Sequence, residues 1–139
     1  MTWLPGWADR LLARGGDAWI AVAALANVLG FFRDPTRNPI HAVAAPWDSL
    51  WAVMYGIGGL LLLVAFALKR PTANIEAGGW ALIAAGAIVQ VVVFASFGVG
   101  SLSGTWATVT ILALLVVIAV YRILSIRRAG KVTDARDHP

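Results

Sequence analysis

A group of ionisable side chains lies between the first and second apolar runs of the chain. It consists of Arg33, Asp34, Arg37, His41 and Asp48. Charged groups of both signs at this spacing are compatible with an external contact loop that binds an anionic lipid headgroup or a partner protein, although we favour the simpler interpretation. That interpretation is a loop that is simply solvated, as most charged surface segments are.

Gln90 is the most polar residue of the third apolar run and lies near its middle. An amide without a hydrogen-bond partner is costly in hydrocarbon. We therefore expect Gln90 to bond to a neighbouring helix, with Asn27 in the first run as a candidate partner. The functional alternative is an amide that lines a pore or binds a ligand.

The residues that carry most enzyme chemistry are missing or isolated. The absence of cysteine excludes disulfides, thiolate metal sites and cysteine nucleophiles. The two histidines, His41 and His138, lie outside the long apolar runs, and none of those runs has a carboxylate at its middle. No paired carboxylates and no HExxH, GxSxG or GxxxxGK[ST] pattern occur. We expect a protein that is not an enzyme and has no catalytic residue, cofactor or metal.

The composition indicates that this chain is embedded in a lipid bilayer. Of its 139 residues, 60% are hydrophobic and 13% are charged, whereas soluble domains have roughly 25% charged residues. The formal net charge of +4 is explained by basic residues that flank membrane spans. We therefore expect no nucleic-acid partner.

Four apolar runs predict an all-α membrane protein with four transmembrane helices. Three of them, at 47–68, 78–99 and 106–124, are about 28 to 33 Å long as helices, which matches a hydrocarbon core of about 30 Å. The first run, 18–32, is about 22 Å long and is either a short span or a re-entrant or interfacial helix. Asp17 stands where its N-cap belongs.

The distribution of basic residues favours four spans with both termini in the cytoplasm. If all four runs cross, Arg33 and Arg37 lie outside and the other basic residues lie inside, a division of 9 to 2. The nine are Arg10, Arg14, Lys69, Arg70, Arg122, Arg127, Arg128, Lys131 and Arg136. If the first run does not cross, Arg10 and Arg14 move outside and the division is 7 to 4. The positive-inside rule favours the first arrangement.

Two flanking segments complete a three-part organisation around the transmembrane domain, 17–125. In residues 1–16, Trp3, Trp7 and Leu11 recur at four-residue spacing, which predicts a short amphipathic helix in the membrane interface. Residues 126–139 form a basic and polar cytoplasmic tail, for which we expect disorder beyond Arg128.

Small residues at helical spacing predict faces where helices pack closely in lipid. The predicted packing positions are Ala52, Gly56 and Gly59 in the second run, and Ala77, Ala81, Ala85, Gly86 and Gln90 in the third. The pattern does not decide between contacts inside the chain and contacts with a second copy or with partner membrane subunits.

Two segments carry a resemblance to a known group of proteins. They are PWDSLWAVMYGIGGLLLLVAFALKR, within Ala/Gly/Val/Trp-rich spans, and the charged tail YRILSIRRAGKVTDARDHP. The architecture from about residue 18 onward resembles the small multi-span membrane proteins of actinobacterial bacteriophages, including holins. This resemblance implies a protein of the bacterial cytoplasmic membrane that accumulates, assembles and opens lesions, without a catalytic site.

Three functions follow from these observations. The leading hypothesis is a non-enzymatic membrane protein that acts by helix–helix assembly and permeabilises the membrane in the manner of a holin. The second is an accessory or assembly subunit of a larger membrane complex. The third is a small channel or transporter in which Gln90 and Asn27 line the path.

Overall fold

Four helices make up almost all of the chain that the structure describes. The computed structural model describes residues 6, 14–34, 47–68, 72–96 and 105–137, with the backbone alone for 47–48, 105–107 and 130–137. The helices are α1 (Gly15–Arg33), α2 (Trp47–Ala67), α3 (Ala73–Ser96) and α4 (Thr105–Asp137). Each is long and apolar enough to cross a membrane. The all-α prediction with four candidate spans is therefore confirmed, whereas the predicted amphipathic helix of 1–16 lies almost wholly outside the described residues.

The first helix is longer than its apolar run. It has 19 residues and is about 28 Å long, so its length suffices for a span. The predicted N-cap is wrong: the capping position belongs to Arg14, which makes no side-chain capping bond, and Asp17 lies inside the first turn. A carboxylate there is favoured by the positive end of the helix dipole.

The other helices also depart from the predicted boundaries. Helix α3 begins at Ala73 instead of residue 78, with Glu76 in its first turn. Helix α4 has 33 residues and continues to Asp137, so the disorder predicted beyond Arg128 is wrong. Extending a helix that is already formed costs little, and the Arg, Ala and Lys residues of this segment have good helix propensity.

Neighbouring helices in the sequence are neighbours in space. Helix α2 packs against α1 and α3, and α3 packs against α4. The start of α1 meets the start of α3 through Arg14 and Glu76, and meets α4 through Asp17 and Arg122. Successive helices therefore alternate in direction, and α1 and α4 form the two outer members of the series.

The middle pair of helices forms the core. Within the candidate spans, 44% of residues in α2 and 39% in α3 are buried, compared with 17% in α1 and 11% in α4. The largest fully buried side chains are Trp80, Leu62 and Ile83, which all belong to α2 and α3. The outer helices therefore present most of their surface to their surroundings.

Two glycines allow the backbones around α2 to approach closely. A Cβ atom added to Gly58 would lie 2.9 Å from the carbonyl oxygen of Gly79 on α3. A Cβ atom added to Gly59 would lie 2.9 Å from the carbonyl oxygen of Ala21 on α1. Adjacent glycines on α2 therefore serve two different helix contacts, as small residues do in membrane bundles.

Candidate functional site

At one end of the bundle, four side chains form a charged cluster of Arg14, Asp17, Glu76 and Arg122. Arg122 donates a hydrogen bond of 2.8 Å to Asp17, and Arg14 donates one of 2.7 Å to Glu76. Both carboxylates are buried. Buried charges require such partners because leaving water is costly for an isolated ion. The cluster therefore joins α1 to α4 and the residue before α1 to α3.

Arg14 also contacts the end of α2. Its guanidinium carbon lies 5.3 Å from the centre of the Phe66 ring, within the range of a cation–π interaction. Arg14 thus links the beginning of α1 to the end of α2 and the beginning of α3. Sequence analysis used Arg14 and Arg122 only as topology signals and did not single out Glu76, because the paired residues are 62 and 105 positions apart.

Toward the other end of the bundle, the contacts between α1 and α2 are aromatic. The rings of Phe31 and Trp51 are 5.2 Å apart, and those of Trp51 and Tyr55 are 5.6 Å apart, both edge to face. All three side chains are buried. Edge-to-face pairs of this kind add stability beyond the area they bury. This aromatic cluster fixes α1 against α2 far from the charged cluster.

Between the outer helices lies a cavity of about 450 Å³. Helices α1 and α4 form its walls, and α2 and α3 contribute residues behind them. It is lined by Ile20, Ala23, Ala24, Asn27, Tyr55, Ile83, Gln90, Thr108, Ile111, Leu112, Leu114, Leu115 and Ile118. A mostly apolar cavity of this size with a few polar groups has the character of a small-molecule site.

The polar groups of the cavity are concentrated in one part of it. Asn27 lies about 15 Å along α1 from Asp17, and Thr108 lies about 21 Å along α4 from Arg122. Gln90 lies about 21 Å along α3 from Glu76. The residues nearer the charged cluster, such as Ile20 and Ile118, are aliphatic. The cavity is therefore polar from the middle of the bundle toward the end remote from the charged cluster, and apolar toward that cluster.

Gln90 has a hydrogen-bond partner, but it is not the predicted one. The Tyr55 hydroxyl donates to the Gln90 Oε1 atom over 3.3 Å. Asn27 lies on the exposed side of α1 and lines the same cavity. The structure thus brings Asn27 and Gln90 to one cavity. It adds Tyr55, whose hydroxyl the apolar pattern of the second span does not mark as a polar group.

The predicted packing residues separate into two groups. Ala52 is fully buried, Gly56 and Gly59 face α1, and Gly86 faces the backbone and side chains of α2. On α3, Ala77 and Ala85 are half-buried and Ala81 is exposed. The face of α3 that packs inside the chain is therefore offset from the Ala77, Ala81 and Ala85 stripe and includes Gly79, Trp80 and Ile83.

The predicted external contact loop is described only at its beginning. Arg33 is exposed and Asp34 is half-buried. Arg37 and His41 lie outside the described residues, as does the side chain of Asp48. The prediction of a headgroup or partner site there stays a prediction.

Within the described ranges, no group of three or more His, Cys, Asp or Glu side chains is arranged to hold a metal ion. The charged cluster has two carboxylates, and each is engaged by an arginine. The cavity offers amide, hydroxyl and aliphatic groups, which suit binding of a neutral molecule.

Comparisons with protein-family models, with curated proteins and with solved structures found no match to this chain. The resemblance to small phage membrane proteins therefore stays a prediction.

Proposed function

We propose that this chain is a non-enzymatic protein of the bacterial cytoplasmic membrane that assembles with copies of itself and permeabilises the membrane as holins do. The observation that carries the proposal is an outward stripe of small residues on α3. It consists of Gly78, Ala81 and Ala85, and we call it the small-residue stripe.

The small-residue stripe has the composition of a helix contact but is only partly covered inside the chain, with Gly78 and Ala85 half-buried. A Cβ atom added to Gly78 would meet nothing within 4 Å, and Ala81 is exposed. The spacing of three and four residues places the stripe on one face of α3. Small residues are enriched where membrane helices pack against each other. In our proposal, this face of α3 binds a second copy of the chain.

Both termini are cytoplasmic in this proposal. The charged cluster brings the start of α1 to Arg122, which lies near the middle of the long helix α4. Beyond Arg122, α4 continues to Asp137, and the 9-to-2 division of basic residues favours the cytoplasm for this end. The two ends differ enough in charge to support one orientation.

The outer helices supply the means of permeabilisation. Helices α1 and α4 are joined by the Asp17–Arg122 pair, and the cavity lies between residues 20–27 of α1 and 108–118 of α4. Asn27 and Gln90 line that cavity, and both are polar groups that water can solvate. In the proposed lesion, assembled chains separate their outer helices and expose this lining.

The proposal is tested by inducible expression in a bacterial host with a dye that reports membrane potential. We expect the wild-type chain to depolarise the membrane, and Ala81→Leu to weaken this at equal membrane abundance because it blocks the small-residue stripe. Ala113→Leu is the matched control, since Ala113 is an exposed alanine on α4. Normal polarisation with abundant inserted wild-type protein would refute permeabilisation.

Assembly is measured separately by disulfide trapping, which is clean because the chain has no cysteine. We expect Ala81→Cys to form a disulfide-linked dimer on oxidation and Ala113→Cys to remain monomeric. Stable foreign subunits purified in fixed proportion with the chain, without self-dimers, would favour the accessory-subunit function instead.

A small channel or transporter is the second candidate function. It is favoured by the shared position of Asn27 and Gln90 on one cavity. Flux of a solute into liposomes that depends on the chain and is altered by Gln90→Leu would support this function. Flux unchanged by that substitution would count against it.

A further inference from the structure

The cavity between α1 and α4 has exposed amide chemistry at a depth where hydrocarbon offers no partner. If the charged cluster lies at the membrane interface, Asn27 lies about 15 Å into a hydrocarbon core of about 30 Å. An amide in that environment is costly unless it meets another polar group. Asn27 is nevertheless exposed on the cavity wall.

Gln90 presents hydrogen-bond donors to the same cavity. Its Oε1 atom accepts the hydrogen bond from Tyr55, which leaves its amide N–H groups for another partner. Asn27 on α1 and Gln90 on α3 therefore supply donors from a wall and from the floor of the cavity. Carbonyl oxygens are the natural complement of two such donors.

The rest of the cavity selects for a neutral, apolar molecule. No Asp, Glu, Lys, Arg or His is found among the described residues that line it. The small side chains of Ala23 and Ala24 leave room beside the polar groups, and aliphatic side chains line the part toward Ile20 and Ile118. A charged head would be desolvated there without a counter-ion, which is strongly unfavourable.

We propose that this cavity binds a neutral lipid-soluble carbonyl compound with an apolar tail, of the isoprenoid quinone class. The carbonyl oxygens of the ring accept hydrogen bonds from the amide groups of Asn27 and Gln90. The ring lies beside Ala23 and Ala24, and the tail follows the aliphatic lining. The volume of about 450 Å³ falls in the range of small-molecule sites, roughly 300–1,000 Å³. The binding concerns the closed bundle and is measured without permeabilisation, although the proposed lesion uses the same cavity lining.

The test uses the purified full chain in phosphatidylcholine vesicles and a benzoquinone whose short isoprenoid tail carries a photoreactive diazirine. Mass spectrometry locates the label after irradiation. We expect labelled peptides from α1 and α4 at the cavity, and loss of the label when untagged quinone is added in excess. A second probe with the same tail and a carboxylate head is expected to label the cavity far less.

Two substitutions on α1 provide the matched comparison. Ala23→Phe fills the cavity, whereas Ala26→Phe places the same ring at an exposed position that does not line it. We expect Ala23→Phe to lose most of the quinone labelling and Ala26→Phe to retain it, with unchanged helix content for both. If Ala23→Phe does not fold, Gln90→Leu replaces it with the same expected loss.

Three results would overturn the proposal. The first is equal quinone labelling of the wild-type chain and the cavity-filling variant. The second is equal labelling by the quinone and carboxylate probes, since the cavity then does not select a neutral carbonyl head. The third is labelling that untagged quinone does not displace, which would mean that the diazirine reports general contact with lipid tails.

Discussion

The middle pair of helices and the outer pair use different chemistry to reach the same bundle. Helices α2 and α3 are joined by a large buried tryptophan and by glycines that bring their backbones together. Helices α1 and α4 are joined to each other by an ion pair at one end and are separated elsewhere by a cavity. The two pairs therefore form a closely packed centre and an open contact between the outer helices, and the cavity used in both the proposed lesion and the proposed ligand binding lies at that open contact.

This division follows from the solvent. In lipid, apolar side chains gain little by leaving the surroundings, so association depends on close packing and polar contacts. The middle pair has the small residues needed for close packing. On the α4 side of the cavity the lining is mostly leucine and isoleucine, and the outer pair is held by polar groups at one end.

The largest expected effect is a difference in unfolding free energy when the same substitution is made at one tryptophan of each pair. Trp80→Ala removes a side chain that is 0% exposed, whereas Trp19→Ala removes one on α1 that is 73% exposed. We expect the first to lower the unfolding free energy by about 2–4 kcal/mol. This is below the ~3–5 kcal/mol found in soluble cores, because the tryptophan ring of a membrane protein stays in apolar surroundings when the helices separate. We expect little change from the second. Reversible unfolding in mixed detergent micelles measures both, and equal losses would contradict the division.

The next effect concerns the backbone contact between α2 and α3. Gly58→Ala places a Cβ atom 2.9 Å from a backbone oxygen, so the helices must move apart at a cost of about 1–3 kcal/mol. Gly30→Ala on α1 meets nothing within 4 Å and is expected to be neutral or to stabilise by about 0.4–1 kcal/mol. The same unfolding measurement compares them. A stabilising Gly58→Ala would show that the close contact is absent.

The ion pair of the outer helices is expected to contribute less than a fully buried pair. Breaking a buried pair costs about 3–5 kcal/mol, but the Arg122 side chain is 41% exposed, and solvent screening lowers this to about 1–2 kcal/mol. Arg122→Gln should therefore destabilise the chain, and adding Asp17→Asn should recover part of the loss because no buried charge is then left unpaired. A double-mutant cycle on unfolding free energies measures the coupling. Additive losses would mean that the two side chains do not interact.

The two pairs also differ in how far the sequence predicts them. Apolar length is a local property, so all four helices could be anticipated, including α1. The Ala52, Gly56 and Gly59 stripe could be identified because small residues are sparse among the large side chains of α2. On α3, alanines and glycines occur on several faces, so spacing alone does not tell the inward face of Gly79 from the outward face of Ala81.

The charged cluster and the cavity depend on contacts between distant residues. Asp17 has the sequence context of an N-cap, and its contact with Arg122, 105 residues further along the chain, cannot be inferred from that context. The cavity exists because α1 and α4 do not close against each other. No periodicity within one helix contains that information.

The smallest expected effect lies where the middle pair borders the cavity. Tyr55→Phe removes the hydroxyl that donates to Gln90 over 3.3 Å. Hydrogen bonds between membrane helices average about 0.6 kcal/mol, so we expect a loss near that value. Because Gln90 remains with its amide N–H groups, which donate to the quinone carbonyls in our proposal, quinone labelling should persist in this variant. A loss of unfolding free energy as large as that of Gly58→Ala would show that Tyr55 and Gln90 hold the middle pair together. Gln90 would then belong to the closely packed centre and not to the open contact between the outer helices.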